Sequence, residues 1–177
     1  MDTNRIEIPL SKTKLLLVLG GAVLFVALGA WLLLDVASEE SGYYRLFVQG
    51  VGLLGIVFFG FMGLIGVRKL FDNQPGLIID REGIHDNSSA ISAGLVDWKD
   101  ITGFRRLKIR STKFIMVDVA DPEKYIARAK NGIAKKAMQA NDKLYGSPLA
   151  ITSGALQYDF DALEVLLVTA YEKYKNG

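Results

Sequence analysis

Hydrophobic and polar positions divide this chain into two regimes, one apolar at nearly every position and one that alternates. From Leu15 to Leu34 the sequence LLLVLGGAVLFVALGAWLLL runs without a single charge. At about 1.5 Å of rise per residue, a helix of that length is about 30 Å long, the thickness of a bilayer's hydrocarbon core. From Leu46 to Val67 the sequence LFVQGVGLLGIVFFGFMGLIGV follows, with Gln49 its one strongly polar side chain. A helix on a soluble domain is apolar along one stripe, not all round. The pattern predicts transmembrane helices at 15–34 and 46–67 joined by a loop at 35–45. Residues 1–14 form an N-terminal segment, 68–76 a linker and 77–177 a water-soluble domain.

A cleaved signal peptide is the competing reading of the first run, since Arg5, Lys12 and Lys14 precede it. The run exceeds a usual signal core, and Asp35-Val36-Ala37-Ser38 is a poor cleavage motif, so a retained hairpin is expected. Basic residues flank the outer ends of both runs, with Arg68 and Lys69 after the second. The connecting loop sets Arg45 against Asp35, Glu39 and Glu40. Positive residues stay inside, which predicts a multi-pass inner (plasma) membrane protein with both termini cytosolic. Trp31, Tyr43 and Tyr44 then fall at the outer interface, where amphipathic rings prefer to lie. Neither span carries an ionisable side chain for a proton or ion pathway. In the second, Gly60, Gly63 and Gly66 recur every three residues, and Gly52 and Gly55 repeat the interval. Small residues let helices approach closely in lipid, so these five are candidate helix-packing positions, against the first span or against another chain.

After Pro75-Gly76 the period changes. Leu77–Asp80 and Ile84–Asn87 read as short strands around a glycine-containing turn, followed by a serine-rich loop and Leu95–Trp98. Thr102–Arg110 alternates, with Phe104, Arg106, Lys108 and Arg110 on one face and Arg105, Leu107 and Ile109 on the other. Phe114–Ala120 is rich in β-branched and aromatic residues and reads as a strand. Asp121-Pro122 starts a helix, with Tyr125, Ile126, Ala129, Ile133, Ala137 and Leu144 at helical spacing and Asn131-Gly132 dividing it in two. Leu149–Thr152 and Leu156–Tyr158 around Ser153-Gly154 predict a second hairpin. Asp161-Ala162-Leu163-Glu164 has capping-box spacing and opens a final helix to about Lys175.

The segments GLIIDREGIHDN, LVDWKDITGF and YDFDALEVLL, in that order behind two spans, resemble the bacterial PH-like domains of small inner-membrane proteins. The likeness covers about residues 76–175. It implies an α+β fold: a bent antiparallel sheet forming a partial barrel, with the C-terminal helix plugging one end. The helical stretch Asp121–Tyr145 departs from a plain PH pattern as an insert. Basic loops of PH domains commonly bind lipid phosphates, so the resemblance also implies anionic membrane lipids as partners.

Charge is informative locally rather than globally. Residues 72–177 hold fifteen Lys/Arg against fourteen Asp/Glu, so no overall field points to nucleic acid. Between Lys99 and Lys143, however, twelve basic residues face five acidic ones. Arg106, Lys108, Arg110 and Lys113 on the strands, with Arg128, Lys135 and Lys136 on the insert, are the candidate lipid- or partner-binding residues. Near an anionic membrane surface each basic group contributes about 1 kcal/mol. The competing reading is that these side chains merely solvate exposed faces. The strand RRLKIR lacks the interleaved aromatics of a nucleic-acid surface.

Catalytic chemistry finds little purchase. There is no cysteine, and His85 is the single histidine. His85 and Asp86 are strand neighbours and so point to opposite faces, and Ser88, Ser89 and Ser92 have no base placed beside them by sequence. No phosphate-binding glycine loop occurs, and no cofactor is expected. The sequence therefore predicts a non-catalytic, membrane-anchored interaction module that binds a protein partner or anionic headgroups. The alternative is an accessory subunit docking through its glycine-rich second span.

Overall fold

The structure, a computed structural model, describes residues 5–89 and 91–175. It divides into two compact units: Lys12–Asn73, and the residues up to Ser11 together with those from Gln74 onward.

The first unit is a helical hairpin. Helix α1, Lys12–Trp31, continues through a π-helical turn, Leu32–Val36, and a last turn, Ala37–Glu39. Helix α2 is Gly42–Leu70. Both are long and apolar enough to cross a membrane, and only 11% and 6% of their apolar windows are buried, which sets them apart from the core helix of a soluble protein. The helices outlast the apolar runs at 15–34 and 46–67. Backbone hydrogen bonding continues past the last apolar residue, so Asp35, Glu39 and Arg45 lie on helix rather than loop.

The packing seam corrects the glycine pattern. A Cβ on Gly29 would come within 2.8 Å of the Gly52 carbonyl oxygen, and one on Gly52 within 2.8 Å of the Gly29 carbonyl. Phe25 stacks on Phe59 at 4.2 Å, Gly63 faces Ala22, and Gly66 faces Leu19. On α2 the seam therefore runs through residues 52, 56, 59, 63 and 66, alternating steps of four and three. That is the 3.5-residue period of antiparallel helix packing. A strict step of three turns the helix by about 300° and drifts off the contact face. Gly55 and Gly60 accordingly have nothing within 4 Å.

In the second unit the described residues form two antiparallel sheets, of four and three strands. The first takes β1 (Ile6–Ile8), β2 (Leu77–Ile79), β3 (Gly83–Asp86) and β4 (Gly94–Asp97) in that order. The N-terminal segment is therefore part of the soluble unit: Ile6 pairs with Ile79 and Ile8 with Leu77. Asp80 closes the β2–β3 turn, its Oδ1 accepting from the backbone N–H groups of Glu82 and Gly83. A 3₁₀ turn, Trp98–Asp100, leads into the second sheet, β5 (Ile101–Ile109), β6 (Thr112–Val119) and β7 (Leu149–Ile151). Ile115, Met116 and Val117 of the central strand β6 are all buried, so both of its faces are covered.

Between β6 and β7 lie α3 (Pro122–Ala127) and α4 (Gly132–Tyr145). Asp121 caps α3 by accepting from Lys124 N–H, and Asn131 caps α4 by accepting from Ala134 N–H. Gly146 ends α4 in the left-handed region at φ +76°, where a side chain would be strained. The buried face of α4 is Ala134 and Met138, whereas Ile133 and Leu144 are exposed, so the register predicted from Ile133, Ala137 and Leu144 is offset.

No hairpin forms at 149–158. After β7 the chain turns through Ser153–Ala155, and Leu156 bridges Leu10 instead. Gln157 N–H donates to Pro9 C=O and Ser11 N–H to Ala155 C=O. The true partner lies some 145 residues away, beyond any local pattern.

Helix α5, Phe160–Lys175, buries Phe160, Leu163, Leu167 and Ala170. Its cap is Asp159 rather than Asp161: Asp159 Oδ1 accepts from the N–H groups of Asp161 and Ala162. Those bonds hold the Asp159 carboxyl below its ordinary value. At the far end Tyr171 donates to Ile101 C=O, and Tyr174 stacks on Trp98 at 5.7 Å.

Candidate functional site

The basic residues singled out from the sequence separate into two groups. Arg106 is held by acids of α5, with Nε 3.0 Å from Glu164 Oε2 and a terminal nitrogen 2.7 Å from Asp161. Its guanidinium also lies 5.3 Å from the Phe160 ring centre. Lys113 is 3.3 Å from Asp161 and likewise over Phe160. Arg128 covers the Tyr125 ring. Beside these, Arg105 makes a two-pronged bond to Asp118 and a third to Tyr145 C=O. Lys124 binds Asp97 and Asp100, and Asp100 also accepts from Tyr125 O–H at 2.7 Å. Burial, then that hydrogen bond, pushes the Tyr125 hydroxyl up to about 12. This group ties elements together.

The second group is Lys108, Arg110, Lys135 and Lys136, which make no ion pair among the described residues. Lys135 and Lys136 are exposed on α4. Lys108 and Arg110 stand at the free end of the β5–β6 hairpin, beyond the β6 residues that pair with β7. Ile109 pairs with Thr112, leaving Arg110-Ser111 as a two-residue loop. Arg110 has φ +54°, the one non-glycine described residue in the left-handed region. A Cβ there costs about 1–2 kcal/mol, and turns of this kind favour glycine. The predicted Arg106–Lys108–Arg110 face is thus split, its first member neutralised and its other two free.

This division has a pH signature. Hydrogen bonds from Arg106 hold the Glu164 carboxyl below its ordinary value, and those from Lys124 and Tyr125 do the same for Asp100. Groups lowered on folding contribute stability that is present above their unfolded pKa and is lost as pH falls through the folded one. The stability of the soluble unit should therefore fall as pH drops below about 4.5, the ordinary value for Glu164. Exposure and salt screening keep each contribution modest. Urea titrations at pH 7 and pH 3 should show a smaller difference for Glu164→Gln than for the native chain; equal differences would leave the pair without thermodynamic weight.

A polar cleft of about 390 Å³ opens elsewhere, lined by Arg5, His85, Asp86, Asn87 and Lys130 among others. Arg5 in it pairs with Glu7 at 2.8 Å. His85 Nε2 is enclosed and 3.2 Å from Asp80 Oδ2, yet without the alignment of a hydrogen bond. Asp86 turns away to accept from Ser88 N–H and O–H, and burial raises its carboxyl above the ordinary value. Ser89 and Ser92 bond each other. The serines and Asp86 hold the turn after β3. Among the described residues no three metal-ligating side chains converge.

The second face of the hairpin tip was not singled out from the sequence. Leu107, Ile109 and Phe114 share it, and they line an apolar groove with Ile91, Met116 and Ala150. The alternation placed Leu107 and Ile109 together, but their neighbours across β6 and the loop needed the pairing register.

No family model, curated protein or solved structure matches the chain.

Proposed function

We propose that this chain is a non-catalytic, membrane-tethered module whose soluble unit is PH-like in plan and meets anionic headgroups with the tip of the β5–β6 hairpin. Support for the plan comes from four strands followed by three, closed by a C-terminal helix. The observation that carries the function is Arg110: an arginine with no ion pair among the described residues, held in a strained left-handed conformation that glycine would occupy freely. Local strain retained in a loop is a mark of function. Lys108 adds a second cation there without an ion pair among the described residues, and Lys135 and Lys136 a further two on α4. The inner membrane is the expected site, with the soluble unit on its cytosolic side. Each cation near such a surface contributes about 1 kcal/mol, so tethering rather than tight binding does most of the localising.

The chain has no cysteine, so Ser111→Cys gives a unique dye position at the tip. In nanodiscs, energy transfer from that dye to headgroup acceptors should rise with anionic lipid and fall with salt. Arg110→Gly should weaken the response while raising stability by about 1 kcal/mol, opposite signs from one substitution. Transfer that ignores anionic lipid content would remove the proposal.

A second reading, docking of α2 on another protein's helix, is favoured by Gly55 and Gly60, where an added Cβ would meet nothing within 4 Å. Pull-down after crosslinking in mild detergent tests it.

A further inference from the structure

Helix α4 carries more apolar surface than the soluble unit covers. At about 100° per residue, Ala140, Ile133, Leu144 and Ala137 fall within about 60° of one another around the helix. Ile133 is 70% exposed and Leu144 69%, Ala140 is exposed and Ala137 half-buried. The buried pair, Ala134 and Met138, follows about 60° and 100° beyond Ala137. The apolar arc is therefore continuous, and only one end of it faces the core. A helix that merely closes a domain needs one buried stripe and a polar remainder.

Charge says what suits the uncovered part. Lys136 and Lys143, both exposed, border the stripe on the side away from the core. Asp142, the single acid of α4, falls about 180° from Ile133. An apolar stripe edged by lysines is the make-up of a helix that lies in the interface of an anionic leaflet. A groove on a protein partner instead reads large anchors at successive turns, i, i+3 or i+4 and i+7. Here alanines fill the turns between Ile133 and Leu144, which stand about 16 Å apart along the axis. The same chain also carries two helices long and apolar enough to cross a membrane, so a leaflet is present at high effective concentration.

We propose that α4 lies in the headgroup layer of an anionic leaflet, with Ile133 and Leu144 inserted and Lys136 and Lys143 on lipid phosphates. The inference rests on the membrane-tether reading but not on the contact of the hairpin tip. Asn141 and Tyr145 share a groove with Leu107 and Ile109, so α4 runs beside the hairpin, yet its stripe holds none of the tip's residues.

The test uses the full chain, one copy per nanodisc, with a single nitroxide in a sequence that has no cysteine. Labels at Ala140→Cys, on the stripe, and Gln139→Cys, about 100° away, read depth by collision with oxygen and with a water-soluble nickel chelate. In discs containing phosphatidylglycerol the Ala140 label should be shielded from the chelate and the Gln139 label open to it. In phosphatidylcholine alone both should be open. Lys136→Gln and Lys143→Gln should each lower the ratio of inserted to free helix about fivefold. Ile133→Ser with Leu144→Ser should return the Ala140 label to water; should that pair disturb the fold by circular dichroism, the lysine variants decide alone. An Ala140 label open to the chelate in anionic discs, or shielded equally in zwitterionic ones, overturns the proposal. So does shielding that appears only when a disc holds two copies, which would make the stripe an interface between chains. A shielded Ala140 label with a Ser111 dye blind to anionic lipid would remove the tip contact alone, and the converse would leave the tip contact standing.

Discussion

A fragment that begins at Gln74 is expected to be unfolded or aggregated, and to fold once the first eleven residues are restored through a short flexible linker. Ile8 and Leu10 are 2% and 7% exposed, and they sit against Leu77 and Leu156, which have no exposure at all. Removing buried Ile or Leu side chains costs about 2–5 kcal/mol each. Losing β1 also strips one edge of the four-stranded sheet and the partners of Gln157 and Ala155. Domains of this size are stable by about 5–15 kcal/mol, so the deletion removes most or all of the margin. In the full chain Ile8→Ala and Leu10→Ala should each lower the urea midpoint. Circular dichroism and amide dispersion decide the matter: a Gln74–Gly177 fragment with a native spectrum would make β1 an accessory. The pairing has a topological consequence too. Both ends of the helical hairpin run into neighbouring antiparallel strands of one sheet, so if α1 and α2 cross a membrane they do so as a returning pair.

What the residues made legible was everything set by neighbours in sequence. The apolar runs, the glycine-containing β2–β3 turn, the long strands of the β5–β6 pair, the cap at Asp121 and the break at Asn131-Gly132 all follow from period and turn chemistry within ten residues. The misses share one cause, contacts that sequence distance hides. Ile6–Ile8 is too short to signal a strand, and its partner, Leu77–Ile79, follows only after the whole helical hairpin. Leu156 alternates like a strand residue but is claimed by Leu10. Asp161 matched a capping box, yet Asp159 reaches the helix N–H groups first, because α5 already begins at Phe160. At the candidate site the alternation grouped Arg106 with Lys108 and Arg110, but β5 ends at Ile109 and Arg110 lies in the two-residue loop beyond it. Nor could alternation show that Glu164, 58 residues later, arrives to neutralise the first of the three.

Gly52→Leu is expected to push the two long helices apart, while Gly55→Leu and Gly60→Leu leave them together. At Gly29 and Gly52 the backbones themselves touch, each glycine's missing Cβ lying against the other's carbonyl, so no rotamer change makes room. Overpacking a close contact costs about 1–3 kcal/mol, and in lipid there is no hydrophobic effect to restore the lost dispersion. Because the chain lacks cysteine, Ala22→Cys with Gly63→Cys makes a clean reporter. The Cβ separation there is 3.7 Å, inside the range for an unstrained disulfide. Oxidation of that pair in nanodiscs should be rapid in the native background and slow about tenfold with Gly52→Leu, about 1.4 kcal/mol against the closed hairpin. An unchanged rate would mean that the close approach is dispensable; equal slowing by Gly55→Leu would mean that the seam repeats every three residues after all. The two outward positions then serve a separate purpose. Substitutions at either position that spare the disulfide but abolish a crosslinked partner would locate a docking surface on that flank of α2, since Gly55 and Gly60 lie on opposite sides of the α1 seam.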